Sequence, residues 1–226
     1  ILAQLKNAGG QEVTAVRRRV AGVVLAAGGS GRMGRPKQLL DWFGRPFVRV
    51  VTETALAAGL WPVLVVTGAA HEQVREAVSG LPVKVAENPL WEAGQSTSVR
   101  AAVEDFSQMP AEMPLAAVFL LVDQPQISVQ LVQALLDTYA SSLSPIVAPL
   151  VDDRRGNPVL FGEETFDALS NTVGDAGGRQ VFSRFRVEYI PWLDAGAGMD
   201  VDTPEDYAAL LAAYEDKMPL DSDQSV

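Results

Sequence analysis

Residues 25–37 read LAAGGSGRMGRPK, a stretch with four glycines and three positive charges that directly follows the apolar run VAGVV. Glycines let backbone N–H groups approach anionic oxygens closely. Arg32 can follow as a planar fork and Lys37 as a point charge. A loop with these two cations five residues apart can wrap a triphosphate. Acids stand elsewhere in the chain, with Asp123 in Asp123-Gln124-Pro125 and Asp200 and Asp202 in Asp200-Val201-Asp202-Thr203-Pro204. Mg²⁺ favours one or two carboxylates completed by phosphate oxygens and water. Each acid also has a plain structural reading. Asp123 before Gln-Pro can form a turn, and Asp202 can be an acid leading into a capped helix.

Residues 29–34 match the dinucleotide fingerprint G-x-G-x-x-G literally. That fingerprint requires a helix opening within it and an acid about 20 residues on, ending the second strand. Neither follows here. Pro36, Gly44 and Pro46 interrupt any useful helix, Glu53 lies inside a helical pattern, and the strand PVLVVTG ends without a carboxylate. A P-loop fails as well, because Arg35-Pro36 stands where Lys-Ser/Thr belongs. The loop is therefore expected to hold phosphates in another way.

The elements that must position these groups alternate. Apolar runs predict strands at 20–26, 62–67, 83–86, 116–122, 146–149, 158–161, 187–190 and 198–201. Several lack alternation, as expected where both faces of a parallel sheet are covered. Helical patterns fall at 46–58, 70–79, 96–106, 128–142, 163–170, 176–185 and 204–215. Strand–helix–strand order predicts an α/β fold with a mostly parallel sheet. Thr203, Pro204 and Asp206 have the types and spacing of a helix start. In such sheets ligands gather beyond the carboxyl ends of the strands. The glycine loop and both acidic stretches follow strands, so they should share one rim. If 198–201 is a strand, Asp200 and Asp202 lie on one face of it.

The 226 residues are 48% apolar, enough for one domain or two small ones. A net charge of −10 argues against nucleic-acid or anionic-membrane partners, and no apolar run reaches the roughly 18 residues of a membrane span. The absence of Cys excludes disulfides, thiolate sites and a Cys nucleophile, and suits a cytoplasmic protein. A single His, His71, leaves no His triad or multi-His metal site. It reads as an exposed or capping residue, and Trp91 and Trp192 read as packing. Residues 1–19 are expected to be a polar extension, 20–217 the functional domain, and 218–226 a disordered tail. The start lacks Met, and Arg17-Arg18-Arg19 leaves room for an upstream partner.

LAAGGSGRMGRPKQLL resembles the signature L-A-A-G-x-S-x-R-M-G-x-x-K of MobA-like nucleotidyltransferases. Five further segments extend the resemblance over roughly residues 20–215: NPLWEAGQSTSVRAA, LLVDQPQI, RRGNPVLF, GDAGGR and MDVDTPEDY. Their combination is most similar to molybdenum cofactor cytidylyltransferases. The resemblance implies a Rossmann-like three-layer α/β/α fold, Mg²⁺ as cofactor, and transfer of CMP from CTP to the phosphate of a molybdopterin cofactor with release of pyrophosphate. GTP as donor, or a sugar phosphate as acceptor, stays open, as does a non-catalytic nucleotide-binding module. By resemblance, Leu25, Ala26, Ala27 and Gly28 contact base and ribose, with Ser96 and Ser98 helping to place cytosine. Arg32 and Lys37 hold the triphosphate and neutralise developing charge. Asp123 ligates the metal with Asp202, or with Asp200 as the second choice. Asn157, Asp175, Gly177, Gly178 and Arg179 face the acceptor, and a recipient molybdoenzyme or its chaperone is a further partner. By the same resemblance the Arg154-Arg155-Gly156-Asn157 region faces the acceptor, although its residues also suit a hairpin turn.

Overall fold

The structure, a computed structural model, describes residues 2–6, 12–16, 19–108 and 113–217. The tail expected to be disordered, 218–226, lies outside the described residues. Within the expected extension, β1 (Leu2–Lys6) and β2 (Glu12–Val16) pair as an antiparallel hairpin.

The remaining fold is built on one eight-stranded sheet. Its parallel centre is β3 (Val20–Ala26), β6 (Val63–Thr67), β7 (Lys84–Glu87) and β8 (Ala116–Leu121). β11 (Val159–Gly162) runs antiparallel between β8 and β9 (Ile146–Val151). β12 (Val187–Pro191) joins β9 in parallel, and β10 (Arg154–Arg155) joins it antiparallel. Six strands thus share one direction and two oppose it, giving the mostly parallel α/β sheet expected.

The unalternating runs have the predicted cause. β3, β6 and β8 are buried almost throughout, and their alternate residues feed two cores. Val24, Val65, Val118 and Leu120 pack on one face with Val51 of α1 (Phe47–Ala57), Leu131 and Leu135 of α4 (Val129–Ser142) and Leu210 of α6 (Pro204–Tyr214). Val23, Val66 and Phe119 pack on the other with Val99 and Phe106 of α3 (Gln95–Ser107) and Leu169 of α5 (Phe166–Ser170). The short α2 (His71–Ala77) sends Val74 into the first core. The result is three layers, helices covering both faces.

Local expectations fail in three places, while the stretch expected to break any helix around Gly44 does so. Residues 198–201 form no strand. Asp194 accepts a hydrogen bond from Gly196 N and starts a 3-10 turn, Ala195–Gly198. Gln126 Nε2 then donates to the carbonyls of Gly196 and Met199, so this backbone bonds to side chains rather than to a ladder. The helix expected over 176–185 is a 3-10 segment, Gly174–Val181, broken where Gly177 turns to φ 48°, ψ −136°. The helix-breaking stretch around Gly44 folds as a small hairpin, β4 (Asp41–Trp42) with β5 (Arg45–Pro46). The hairpin turn near Arg154 sits one step earlier, at Asp152-Asp153. Both have positive φ, which Asp tolerates better than most residues.

Candidate active site

The glycine loop leaves the carboxyl end of β3 and is held from inside by Gln38. This side chain is fully buried, and Nε2 donates to the carbonyls of Ala26 (3.0 Å) and Gly28 (2.6 Å). Lys37 N donates to Ser30 Oγ at 2.9 Å, closing the loop on itself. Two glycines are explained by Trp91. A Cβ on Gly29 would stand 2.7 Å from its ring, and one on Gly68 would stand 2.7 Å from its Cβ. Trp91 therefore packs over the loop, as expected of it. Trp192 packs on the first core. No α-helix opens in 29–34. A 3-10 turn, Lys37–Leu39, leads into β4, so the dinucleotide reading fails in the structure as in the sequence. His71 is half-buried rather than exposed, its Nδ1 2.7 Å from Thr67 Oγ1.

Lys37 joins the three stretches. Its Nζ donates to Asp123 Oδ2 (2.9 Å), Asp202 Oδ1 (2.8 Å) and the Val201 carbonyl (3.2 Å). Arg32 Nη2 donates to Asp202 Oδ2 at 2.8 Å. Asp123 lies just past β8, and its carbonyl accepts from Val201 N at 3.1 Å, fastening the two acidic stretches together. Asp202 directly precedes Thr203, whose hydroxyl caps α6 in a reciprocal box with Asp206. Burial works to lower the Lys37 pKa, but the charge of Asp123 and the hydrogen bonds to both carboxylates outweigh it, and the net shift is upward. The hydrogen bond from Lys37 leads in holding Asp202 below the usual carboxylate value, with Arg32 adding to it.

Asp200 goes elsewhere. Gln124 Nε2 donates to its Oδ1 at 2.7 Å, while burial and then the Asp123 charge push its pKa up. With no strand at 198–201, Asp200 and Asp202 take different partners instead of sharing one face. Among the described residues no group of three or more His, Asp or Glu side chains has metal-binding geometry. A divalent ion fits the remaining pair. Asp123 Oδ1 is buried without a hydrogen-bond partner, and two carboxylates suffice for Mg²⁺ when phosphate and water complete the shell.

Leu25 also borders a cavity that is partly open to solvent. Asn157, Gly178 and Arg179 line it, and so do Gln95, beside the serines expected to place cytosine, and Arg155, from the stretch expected to face the acceptor. The Arg155 guanidinium lies 3.9 Å from the centre of the Phe182 ring, and Phe161 and Leu121 contribute apolar wall. Asp175 and Gly177 do not line this cavity. The Asp175 carboxylate lies against Gly94, and Gly177 lies against Gln95, so both shape the start of α3. Ser96 and Ser98 are buried there, and Asn88 Nδ2 donates to Ser98 Oγ at 3.0 Å. Of the four residues of the LAAG stretch, Gly28 alone is exposed. Leu25 is buried and borders the cavity. Gln38 and Asn88 carried a weak signal, a polar residue beside an apolar run, with no spacing to mark a role.

A glycine-rich loop with two cations and a carboxylate pair at the carboxyl ends of a mostly parallel sheet are the parts a nucleotidyltransferase needs. Residues 22–189 match the model of the MobA-like NTP transferase domain, and the chain belongs to that family. It is 31% identical over 203 residues to the purine catabolism protein PucB of Bacillus subtilis, covering 82% of this chain and 93% of that protein. It is 25% identical over 212 residues to a probable molybdenum cofactor guanylyltransferase of Bacillus cereus, covering 84% and 94%. Rv0371c of Mycobacterium tuberculosis superimposes with a TM-score of 0.71 at 29% identity, over 86% of this chain and 98% of that one. The same mycobacterial protein has been solved in complex with manganese, at a TM-score of 0.70 and 28% identity over 86% and 99%. Among the described residues no helix is long and apolar enough to cross a membrane.

Proposed function

We propose that residues 20–217 form a Mg²⁺-dependent cytoplasmic enzyme that transfers CMP from CTP to the terminal phosphate of a molybdopterin cofactor. The observation that carries this reading is Lys37 braced between Asp123 and Asp202, on a rim that also holds a cavity with Arg155, Asn157 and Arg179. A triphosphate fits the first part and an anionic, ring-bearing acceptor fits the second. The six-segment resemblance selects cytosine and molybdopterin within those classes.

In the reaction, an acceptor phosphate oxygen attacks the α-phosphorus. The bond from that phosphorus to the oxygen bridging to the β-phosphate breaks, and pyrophosphate leaves with the bonding pair. Lys37 and Arg32 hold the triphosphate oxygens where negative charge gathers. Positioning and neutralisation of this kind supply most of the catalysis in such transfers. Asp123 and Asp202 would hold Mg²⁺, which when bound adds further neutralisation of the triphosphate. No general base is needed, because the acceptor oxygen is already anionic. Gln38 shapes the Leu25–Gly28 stretch for the nucleoside, and Asn88 steadies the α3 turn carrying Ser96 and Ser98. Arg179 and Asn157 meet the acceptor directly, while Asp175 and Gly177 set the wall behind them. A recipient molybdoenzyme or its chaperone takes the product.

GTP is the second reading, favoured by the relatives whose names carry guanylyl transfer. The test is pyrophosphate release with Mg²⁺, molybdenum cofactor and each NTP in turn. CTP should support release. Release with GTP alone would reverse the base assignment. Release with CTP and a sugar phosphate, but not with molybdenum cofactor, would reverse the acceptor. Absence of release with every NTP and every acceptor would leave only a binding module.

A further inference from the structure

The cation that joins the acidic stretches occupies the oxygens a metal would need. Lys37 Nζ takes Asp123 Oδ2 and Asp202 Oδ1 at 2.9 and 2.8 Å. We propose that Lys37 is a displaceable counter-ion, holding the metal position between Asp123 and Asp202 until a metal–nucleotide complex exchanges for it. This rests on the carboxylate pair of the proposed function and adds a second role for the lysine.

Three observations support the exchange. Two carboxylates drawn to one point repel unless a cation stands between them. The Asp123 side chain is 19% exposed and that of Asp202 40%, with Lys37 between them at 16%, so solvent screens that repulsion only in part. The backbone of Lys37 is pinned by Ser30 and by the buried Gln38 that follows, whereas its ammonium rides on a flexible four-carbon stem. The side chain can therefore leave without moving the loop. An arriving triphosphate offers the ammonium a denser negative partner, which frees the carboxylate oxygens for the metal. Nucleotide and metal then favour each other reciprocally through one lysine. Arg32 provides the contrast. It touches Asp202 through Oδ2, from a side chain 72% exposed, and makes no bridge between the two acids.

The test is Mn²⁺ binding without nucleotide, read from the electron paramagnetic resonance signal of free Mn²⁺. Lys37→Met should bind Mn²⁺ about tenfold more tightly than the unaltered protein, within the usual range for linked sites. Arg32→Met removes the same charge nearby and should change affinity far less. Equal tightening in both variants would mean general electrostatics, and no tightening would mean no competition; either result overturns the proposal. If Lys37→Met does not fold, crystals of the unaltered protein soaked in Mn²⁺ decide. Metal on Asp123 with the ammonium withdrawn beyond about 4 Å, past ion-pair contact, supports displacement. Metal bound while Lys37 still bridges both acids overturns it. These measurements need neither acceptor nor turnover, so a wrong acceptor or base would leave them intact.

Discussion

At the residue scale, Asp123 and Gln38 do opposite kinds of work. Asp123 leaves one buried oxygen unpartnered beside the Lys37 bond. Asp123→Asn keeps its shape but removes its charge. Turnover should fall by at least about a hundredfold, the scale of losing one key electrostatic group, while circular dichroism stays unchanged. Near-normal turnover would remove Asp123 from the site. Gln38 touches no expected ligand, yet it satisfies two loop carbonyls from a fully buried position. Gln38→Leu of similar volume strands those acceptors and should cost about 1–3 kcal/mol in urea unfolding. Nucleotide affinity should fall with it, since the loop loses its inner tie. Unchanged stability would show that water or backbone takes over both bonds.

At the element scale, α6 begins where the site ends. Thr203 Oγ1 accepts from Asp206 N, and Asp206 Oδ2 accepts from Thr203 N and from Asp202 N. The same box that starts the helix thus holds the backbone of Asp202. Thr203→Ala should lower stability by about 0.5–2 kcal/mol, the usual cost of a lost cap. It should also weaken Mn²⁺ binding, because the Asp206 carboxylate that holds Asp202 N loses the Thr203 hydroxyl that orients it. A stability loss with unaltered Mn²⁺ binding would separate the cap from the site. This start was legible because Thr, Pro and an acid at the third position form a local code. The stretch before it was not. Gly198 to Val201 looks like a short apolar strand, but the hydrogen bonds that decide its shape come from Gln126, about 70 residues away in sequence.

At the scale of the whole molecule, a parallel sheet gathers loops distant in sequence at one rim. Lys37 meets Asp123 86 residues on and Asp202 165 residues on. Chelation probes the assembled rim. EDTA should abolish nucleotidyl transfer, and added Mg²⁺ or Mn²⁺ should restore it. Full activity in excess EDTA would exclude a metal between these carboxylates. The fold itself should persist without metal, since its two cores are apolar and lie on either face of the sheet.

The chain by itself determined the layers, the rim and the kinds of residue on it. Apolar runs without alternation require a sheet covered on both faces, and the glycine loop and Asp123 follow such runs. Periodicity and local codes carry that much because they depend on near neighbours. Only the tertiary structure decided which groups meet. It set Asp202 on Lys37 and Asp200 on Gln124, turned Asp175 and Gly177 toward α3, and brought Arg155 into the cavity with Arg179. Those pairings depend on loop paths settled by buried polar side chains such as Gln38, Asn88 and Gln126. Their hydrogen bonds reach across the fold, and no spacing in the sequence records them.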